Sequence, residues 1–399
     1  MAKKSENHII IVGGGMNGLT LSLLLAQEGF KTTCIDASPA KINKDDIRTT
    51  AISYGSSKVL EAANIWNEIK PHACPIHKIK ILDGKSPTLL DFDVNTAMDQ
   101  NNFDAFGWIV ENKYLYQSLK SHCAKNKNLT HINEQIVTDI AYTDNDVSVT
   151  LDNGKIIQGH LVIGADGRQS FTRQAADIKA KTWKYNQKAV VCTATHENSH
   201  HNIAIEHFRN HGPFAILPML DAKDKTHRSA VVWTLEGDQS LEVIENQQSL
   251  LAAMNERFPS EYGEIIEVSK PQIYPLNFNH AYSYVAHRTA LIGDAAHGIH
   301  PIAGQGLNIG LQDVKALHLI LTDLKNEHKD IGSVENLQEY QTLRMPDNTA
   351  MAAATDMLNR LFSNNIAPAK ILRRKGLKII EKTKFSKKFF IKRAMGIEN

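Results

Sequence analysis

Little in this chain is given to cross-linking or to crossing a bilayer. Only four of its 399 residues are cysteine, and Cys34, Cys74, Cys123 and Cys192 lie far apart with no C-x-x-C. That spacing argues against a disulfide framework or a zinc ribbon and fits a reducing compartment. No apolar run is long enough to span a membrane. Met1-Ala2-Lys3-Lys4 begins as a signal peptide would, but the apolar run from Ile9 to Val12 is too short for one and glycines follow it. The expectation is therefore a cytoplasmic protein. Internal repeats and low-complexity tracts are missing as well. A net charge of +2 offers no general footprint for nucleic acid.

What is present is an ordinary globular composition, 42% apolar and 22% charged. A length of 399 residues exceeds one ordinary core, so two domains are expected. The charge is uneven. Residues 370–393 carry eleven cations against Glu381 alone, a local charge of +10 on a body of −8. Such a tail, with Leu372, Ile379, Ile380, Phe385 and Phe389 among its cations, suits an anionic membrane surface or a solubilising last helix.

His8 to Val12 reads as a buried strand, Gly13-Gly14-Gly15-Met16-Asn17-Gly18 as a turn and Leu19 to Glu28 as a helix stopped at Gly29. Lys31 to Ile35 is the second strand and ends at Asp36. In this βαβ opening Gly13 makes the turn, Gly15 lets a pyrophosphate approach and Gly18 lets helix and strand pack. Asp36, 18 residues past Gly18, can accept from a ribose diol. The pattern indicates a dinucleotide without separating FAD from NAD. Alternation at Val147–Leu151, a turn at Asp152-Asn153-Gly154 and Lys155–Ile157 read as a hairpin.

Leu161 to Ile163 is another strand, followed by Gly164-Ala165-Asp166-Gly167-Arg168. Asp166 could orient a cofactor, Gly167 keeps the backbone open, and Arg168 faces phosphate or solvent. From about Trp183 to Tyr274, short β-like runs at Ala189–Thr195, Ala204–Phe208 and Ser229–Thr234 surround one helical stretch, Ser240–Phe258. The βα pattern returns at Thr289–Asp294, and after Gln305 the chain is mostly helical.

The most informative segment is Gly293-Asp294-Ala295-Ala296-His297 running into Pro301-Ile302-Ala303-Gly304-Gln305-Gly306-Leu307-Asn308. A carboxylate at a strand end can hold a sugar hydroxyl. The glycines admit a flat ligand, and a helix starting near Gly306 aims free N–H groups at it. Such a site suits a flavin, whose pyrimidine edge gains negative charge on reduction.

Together these three stretches resemble the FAD-dependent aromatic-ring hydroxylases of p-hydroxybenzoate hydroxylase type, and within them the ubiquinone-biosynthesis hydroxylases. Further segments carry the likeness: Asp46-x-Arg48-x-x-Ala51-Ile52-Ser53-x-Gly55-Ser56, Gly107–Asn112, Glu206-x-Phe208 with Gly212–Pro218, Ser229-x-Val231-x-Trp233, His297 through Val314, Arg344-x-x-Asp347-Asn348 and Arg393-Ala394-Met395-Gly396. Lys113 departs from the arginine many relatives carry, and it cannot reproduce a planar guanidinium contact.

The resemblance implies an α/β fold in which a Rossmann-like FAD-binding domain (1–75, 100–182, 275–345) is interrupted by a substrate-binding sheet domain (76–99, 183–274). A helical basic tail (346–399) follows. It also implies NAD(P)H as electron donor, O2 as co-substrate and a C4a-hydroperoxyflavin acting on a polyprenyl phenol, with pathway enzymes as possible partners. Arg48 would lie beside the flavin or its ribityl chain, Asp294 would hold the ribityl chain, Pro301 would wall the ring, and Gly304, Gln305, Gly306, Leu307 and Asn308 would present N–H groups. His297 and His300 read as loop residues beside the flavin and as proton carriers; with no carboxylate or cysteine completing a set, metal is not expected. Cys192 reads as core. Two other readings stay open: hydroxylation of a small soluble phenol, and a non-catalytic lipid escort on the same fold.

Overall fold

A computed structural model describes residues 7–43, 46–84, 90–97, 103–209, 212–237, 244, 246–363, 391–392 and 395–397. The basic segment 370–393 lies outside the described residues except for Ile391 and Lys392.

The opening strand, His8–Val12, is apolar and buried along its length. It pairs in parallel with Lys31–Ile35 on one side and Leu161–Gly164 on the other. Leu129–Ile132 and Thr289–Leu291 extend this sheet in parallel, and Val285–Ala286 closes one edge antiparallel. Continuous burial is what a sheet covered on both faces requires. One cover is helical. Met16–Gln27 buries Leu19, Leu21, Leu23, Leu24 and Leu25, and shares a core with Gln305–Asn326. The other cover is the three-stranded sheet holding the expected hairpin, whose Val147, Val149 and Leu151 pack on Ile10, Val12 and Val162.

The first helix starts at Met16, three residues before its expected start at Leu19, because Gly15 takes the extended N-cap conformation, φ −67 and ψ 176. It stops where expected, with Gly29 at φ +77.

The second large sheet, nine-stranded among the described residues, has a different texture. Its order runs His297–Gly298, Gln272–Ala281, Ala180–His196, His227–Glu236, Gly212–Met219, Ile203–Arg209, Lys78–Asp83, Leu90–Asp93, with Ile265–Val268 also on Ala180–His196. Helix Gln247–Arg257 covers one face, packing Leu250, Ala253 and Met254 on Val190, Cys192, Val231 and Trp233. Asn246 caps that helix by accepting from the Ser249 N–H at 2.7 Å; residues 240–243 and 245 of the expected helix lie outside the described set.

The three expected strands are the inner parts of longer ones. Ala180–His196 extends well upstream, where its side chains alternate toward solvent and its pairing with Gln272–Ala281 shifts register between Lys184 and Lys188. A small sheet of Thr49–Ser53, Gly107–Glu111 and Ala73–Ile76 bridges the two halves. Against it docks a distant piece of chain: the Gly55 N–H donates to the Met395 carbonyl at 2.7 Å, and a Cβ on Gly55 would lie 2.1 Å from the Gly396 oxygen. We propose the expected division into cofactor and substrate segments on this two-sheet layout, although Ala73–Ile76, Ala180–His196, Gln272–Ala281 and Val334–Ser363 run across four of its boundaries.

Candidate functional site

The three glycine-bearing motifs meet. Gly13 (φ +109) rests on the second motif; a Cβ there would lie 2.3 Å from the Ala165 carbonyl oxygen. Asn17, in the first turn of the opening helix, wedges between Gly293 and Gly310, whose added Cβ atoms would come within 2.5 and 2.0 Å of its Nδ2. Gly18 packs on Gly13. Gly15, Gly167 and Gly306 differ, because a Cβ at any of them would meet nothing within 4 Å. These three border open space, as a cradle for a closely approaching ligand does.

Asp36 is buried at the end of its strand, accepts the Ser38 N–H at 3.0 Å and lies against Gly14. Asp166 accepts from the backbone and hydroxyl of Thr172 through Oδ2, at 2.9 and 3.1 Å, while its Oδ1 is buried without a partner. Asn17 Oδ1 is likewise buried and unpartnered. Orphaned acceptors are costly unless a ligand supplies donors. A ligand bearing hydroxyls and a pyrophosphate fits this cradle.

The helix Gln305–Asn326 starts from Gly304 in the left-handed conformation, φ 62 and ψ 27, with no side-chain cap. The N–H groups of Gly306 and Leu307 therefore have no acceptor within the helix. Asn308 works differently from its neighbours. Its Oδ1 accepts the Ser53 N–H at 2.9 Å and its Nδ2 donates to the Ala51 carbonyl at 2.9 Å, pinning strand Thr49–Ser53 to the helix.

Arg48, just before that strand, is gripped by Asp46 through Nε and Nη2, both at 2.7 Å. Its side chain is 44% exposed, near the Tyr116 and Tyr274 phenols. Burial pushes the Asp46 carboxyl up, and the Arg48 guanidinium overrides it to hold Asp46 low. Arg48 is thus half of a rigid, nearly neutral pair. Lys113 takes Glu111 as partner at 2.9 Å.

Arg168 takes protein acceptors while its side chain keeps 30% of its surface exposed. It donates to Asp294 Oδ2 at 2.9 Å, to the Asn277 carbonyl at 3.0 Å and to the Ile299 carbonyl at 3.3 Å, and so fixes the carboxylate expected at the ribityl chain. Asp294 remains 41% exposed.

Of the two histidines expected in the loop, His300 lies in it and His297 lies in a short strand. His297 sits in the short strand pairing with Asn279 and His280, and its Nε2 bonds Asp313 Oδ2, both side chains sealed from solvent. Asp313 also accepts the Gly293 N–H at 3.1 Å, Arg344 Nε at 3.0 Å and Asn348 Nδ2 at 2.9 Å. Burial pushes its carboxyl up, but His297 and Arg344 outweigh burial and hold it below its ordinary range. His300 is buried, with Nε2 3.2 Å from Gln187 Oε1 and Nδ1 unpartnered. Burial lowers its pKa to about 4, so it is neutral at physiological pH. Pro301 follows directly, at the edge of the turn leading to Gly304.

Sequence reasoning did not assign Asn17, Asp313, Arg344 or Asn348 a role. The last three appeared only as motif letters, although an acid inside an otherwise apolar helix stretch was a signal. Glu206 was passed over in the same way. Among the described residues no group of three or more His, Cys, Asp or Glu is placed to hold a metal. All four cysteines are buried free thiols.

A family profile described as "FAD binding domain" matches residues 6–355. The chain is 37% identical over 392 residues to the ubiquinone hydroxylase UbiL of Rhodospirillum rubrum, covering 97% of this chain and 89% of that protein. It is 32% identical over 396 residues to the 3-demethoxyubiquinol 3-hydroxylase of Escherichia coli K12, covering 98% of each. The solved structure of p-nitrophenol 4-monooxygenase PnpA from Pseudomonas putida DLL-E4 superimposes with a TM-score of 0.79 at 17% identity, covering 99% of both chains.

Proposed function

The chain belongs to the FAD-dependent hydroxylases of ubiquinone biosynthesis, a family of aromatic-ring monooxygenases, and on that premise we propose that it hydroxylates the ring of a polyprenyl phenol or benzoquinol. The observation that carries the reading is the cradle where Gly15, Gly167 and Gly306 look onto open space beside the orphaned acceptors of Asn17 and Asp166.

Bound there, FAD supplies the redox chemistry, taking electrons from a nicotinamide donor and activating O2. The protein binds and orients. Gly13, Gly15 and Gly18 shape the pyrophosphate turn, Asp36 receives a ribose diol, and Asp294, fixed by Arg168, receives ribityl hydroxyls. Asp166 and Gly167 complete that side. The Gly306 and Leu307 N–H groups, with the positive end of their helix, stabilise negative charge on the pyrimidine edge. Gly304 and Gln305 set the turn, and Asn308 holds it to Ser53. Pro301 and neutral His300 wall the ring; His297 keeps the loop in place through Asp313. The Arg48–Asp46 pair borders the mouth. The large sheet keeps water from the reacting centre and holds the substrate carbon in range. The described residues contain one classical nucleotide fold, so NAD(P)H docks transiently.

Deleting the gene and extracting the quinones tests the reading. We expect a depleted ubiquinone pool and an accumulated under-hydroxylated precursor; an unchanged pool with no precursor refutes it. The basic tail gives such a greasy substrate a route, by resting the enzyme on an anionic leaflet. Flotation with anionic liposomes should fall on removing residues 370–393, and equal flotation rejects that role. No helix among the described residues is long and apolar enough to cross a membrane.

A further inference from the structure

The nine-stranded sheet has a second face, turned away from helix Gln247–Arg257 and toward the cofactor half. On strand Ile203–Arg209, Ile203 and Ile205 enter the core under helix Gln247–Arg257, so Ala204, Glu206 and Phe208 turn to the opposite face. Ala204 there joins a cluster with Ile79, Ile81 and Leu217 that includes Ala51 and Tyr54 from the cofactor half. Ala51 in turn lies beside Gly304, 3.1 Å from where a Cβ on that glycine would be. The face carrying Glu206 therefore looks toward the glycine-capped helix.

Glu206 begins a straight row across the strands. It pairs with Ala215, which pairs with Val232, then Val191, then Gln272. Four strand spacings put the ends of this row about 19 Å apart. Small apolar side chains fill the middle of the row, with a carboxylate at one end and an amide at the other.

Among the described residues Glu206 has no hydrogen-bond or salt-bridge partner. It is enclosed by protein and keeps some accessible surface. Burial alone raises its pKa to about 7, with no charged neighbour contributing. An unpartnered enclosed carboxylate is costly to a fold and common at sites of chemistry.

We propose that Glu206 binds the ring hydroxyl of the aromatic substrate and takes its proton. The inference rests on the hydroxylase reading above. The substrate O–H bond breaks, its proton forms the O–H bond of the Glu206 carboxylic acid, and the electron pair stays on the ring oxygen. That charge enriches the ortho and para carbons, where an electrophilic oxygen must attach. Once the hydroxylated ring regains aromaticity by losing its own C–H proton to water, Glu206 returns its proton to the ring oxygen. Gln272, at the far end of the row, is neutral and cannot substitute.

The test uses FAD-loaded protein with a short-chain prenylphenol and its O-methyl ether. Flavin absorbance follows binding, and dithionite reduction followed by mixing with O2 gives product per reduced flavin. Wild type should bind the phenol about tenfold tighter than the ether, one hydrogen bond to a charged group. Glu206→Gln, which can still accept a hydrogen bond, should keep its flavin and bind the phenol within about threefold, yet form product about 100-fold more slowly, the scale of a lost general base. Glu206→Asp should recover part of that loss. A Glu206→Gln enzyme with wild-type rate and yield overturns the assignment alone. Should the variant fail to fold, equal binding of phenol and ether by wild type overturns it without any variant. A wild type that hydroxylates no phenol or quinol removes the functional reading, and the assignment with it.

Discussion

Two enclosed carboxylates in this molecule are treated in opposite ways. Asp313, at the seam of the two late helices, is met by His297, Arg344, Asn348 and the Gly293 N–H. Glu206, on the opposite face of the large sheet from its covering helix, has no hydrogen-bond or salt-bridge partner among the described residues. His297 and Arg344 hold the first acid low and burial drives the second up to about 7. A buried acid with a full set of partners is a structural knot, tying the Gly293–His297 loop to two helices. One without partners is a cost that only a ligand offsets.

The largest effect expected from breaking this contrast is at Asp313. Asp313→Asn leaves the buried Arg344 with only the half-exposed Asp347, 3.5 Å away, as counter-ion, a loss of about 3 kcal/mol, the low end for breaking a buried pair. Urea unfolding followed by circular dichroism should record the loss, and flavin should dissociate earlier in the titration. An unchanged midpoint would mean that the network is ornamental.

Glu206→Gln should act the other way and depend on pH. The folded pKa lies above the ordinary 4.5, so stability tied to its protonated form is full below about pH 4.5 and is lost as pH rises through about 7. Glutamine carries no such penalty. The variant should match wild type near pH 4.5 and exceed it by about 2 kcal/mol at pH 8, less than the full linkage because the side chain keeps some water contact. Asp313 has the reverse dependence, its contribution present above the ordinary carboxylate range and withdrawn as the pH falls. Urea midpoints at pH 5 and pH 8 would separate the two, and parallel curves for wild type and Glu206→Gln would end the contrast.

The smallest effect on folding is expected at the cradle. Gly15→Ala keeps an allowed backbone and meets no neighbour, so apoprotein stability should stay within about 0.5 kcal/mol while FAD binding weakens at least about tenfold. Gly13→Ala, at φ +109 and against the Ala165 carbonyl, should instead destabilise the fold itself. Flavin fluorescence titrations set beside thermal melts would distinguish them.

The cradle was legible in the sequence because its chemistry is local. A strand, a glycine turn and a helix lie within one stretch of chain, and Gly13, Gly15, Gly18 and Asp36 fall where that geometry requires. The partnerships were not legible. Asp313 and Arg344 sit on different helices, and nothing in their spacing says that one carboxylate serves both Arg344 and His297. Arg168 could be read only as facing phosphate or solvent, since its partners at Asp294, Asn277 and Ile299 lie far along the chain.

The long strand Ala180–His196 looked shorter because its first half alternates toward solvent and carries lysines. Glu206 did leave a trace. Between Ala204 and Phe208, alternation calls for an apolar residue on the same face, and an acid stands there instead.

Gly55 opens the helix that follows the Asp46–Ser53 motif, yet its backbone contact comes from Met395 and Gly396. On the ribosome, that corner of the pocket waits for residues translated long after the nucleotide fold has emerged. A half-made chain could already sequester flavin while its reaction chamber stands open to solvent. An affinity tag fused just beyond Ile397 would crowd that contact more than one placed before the first strand.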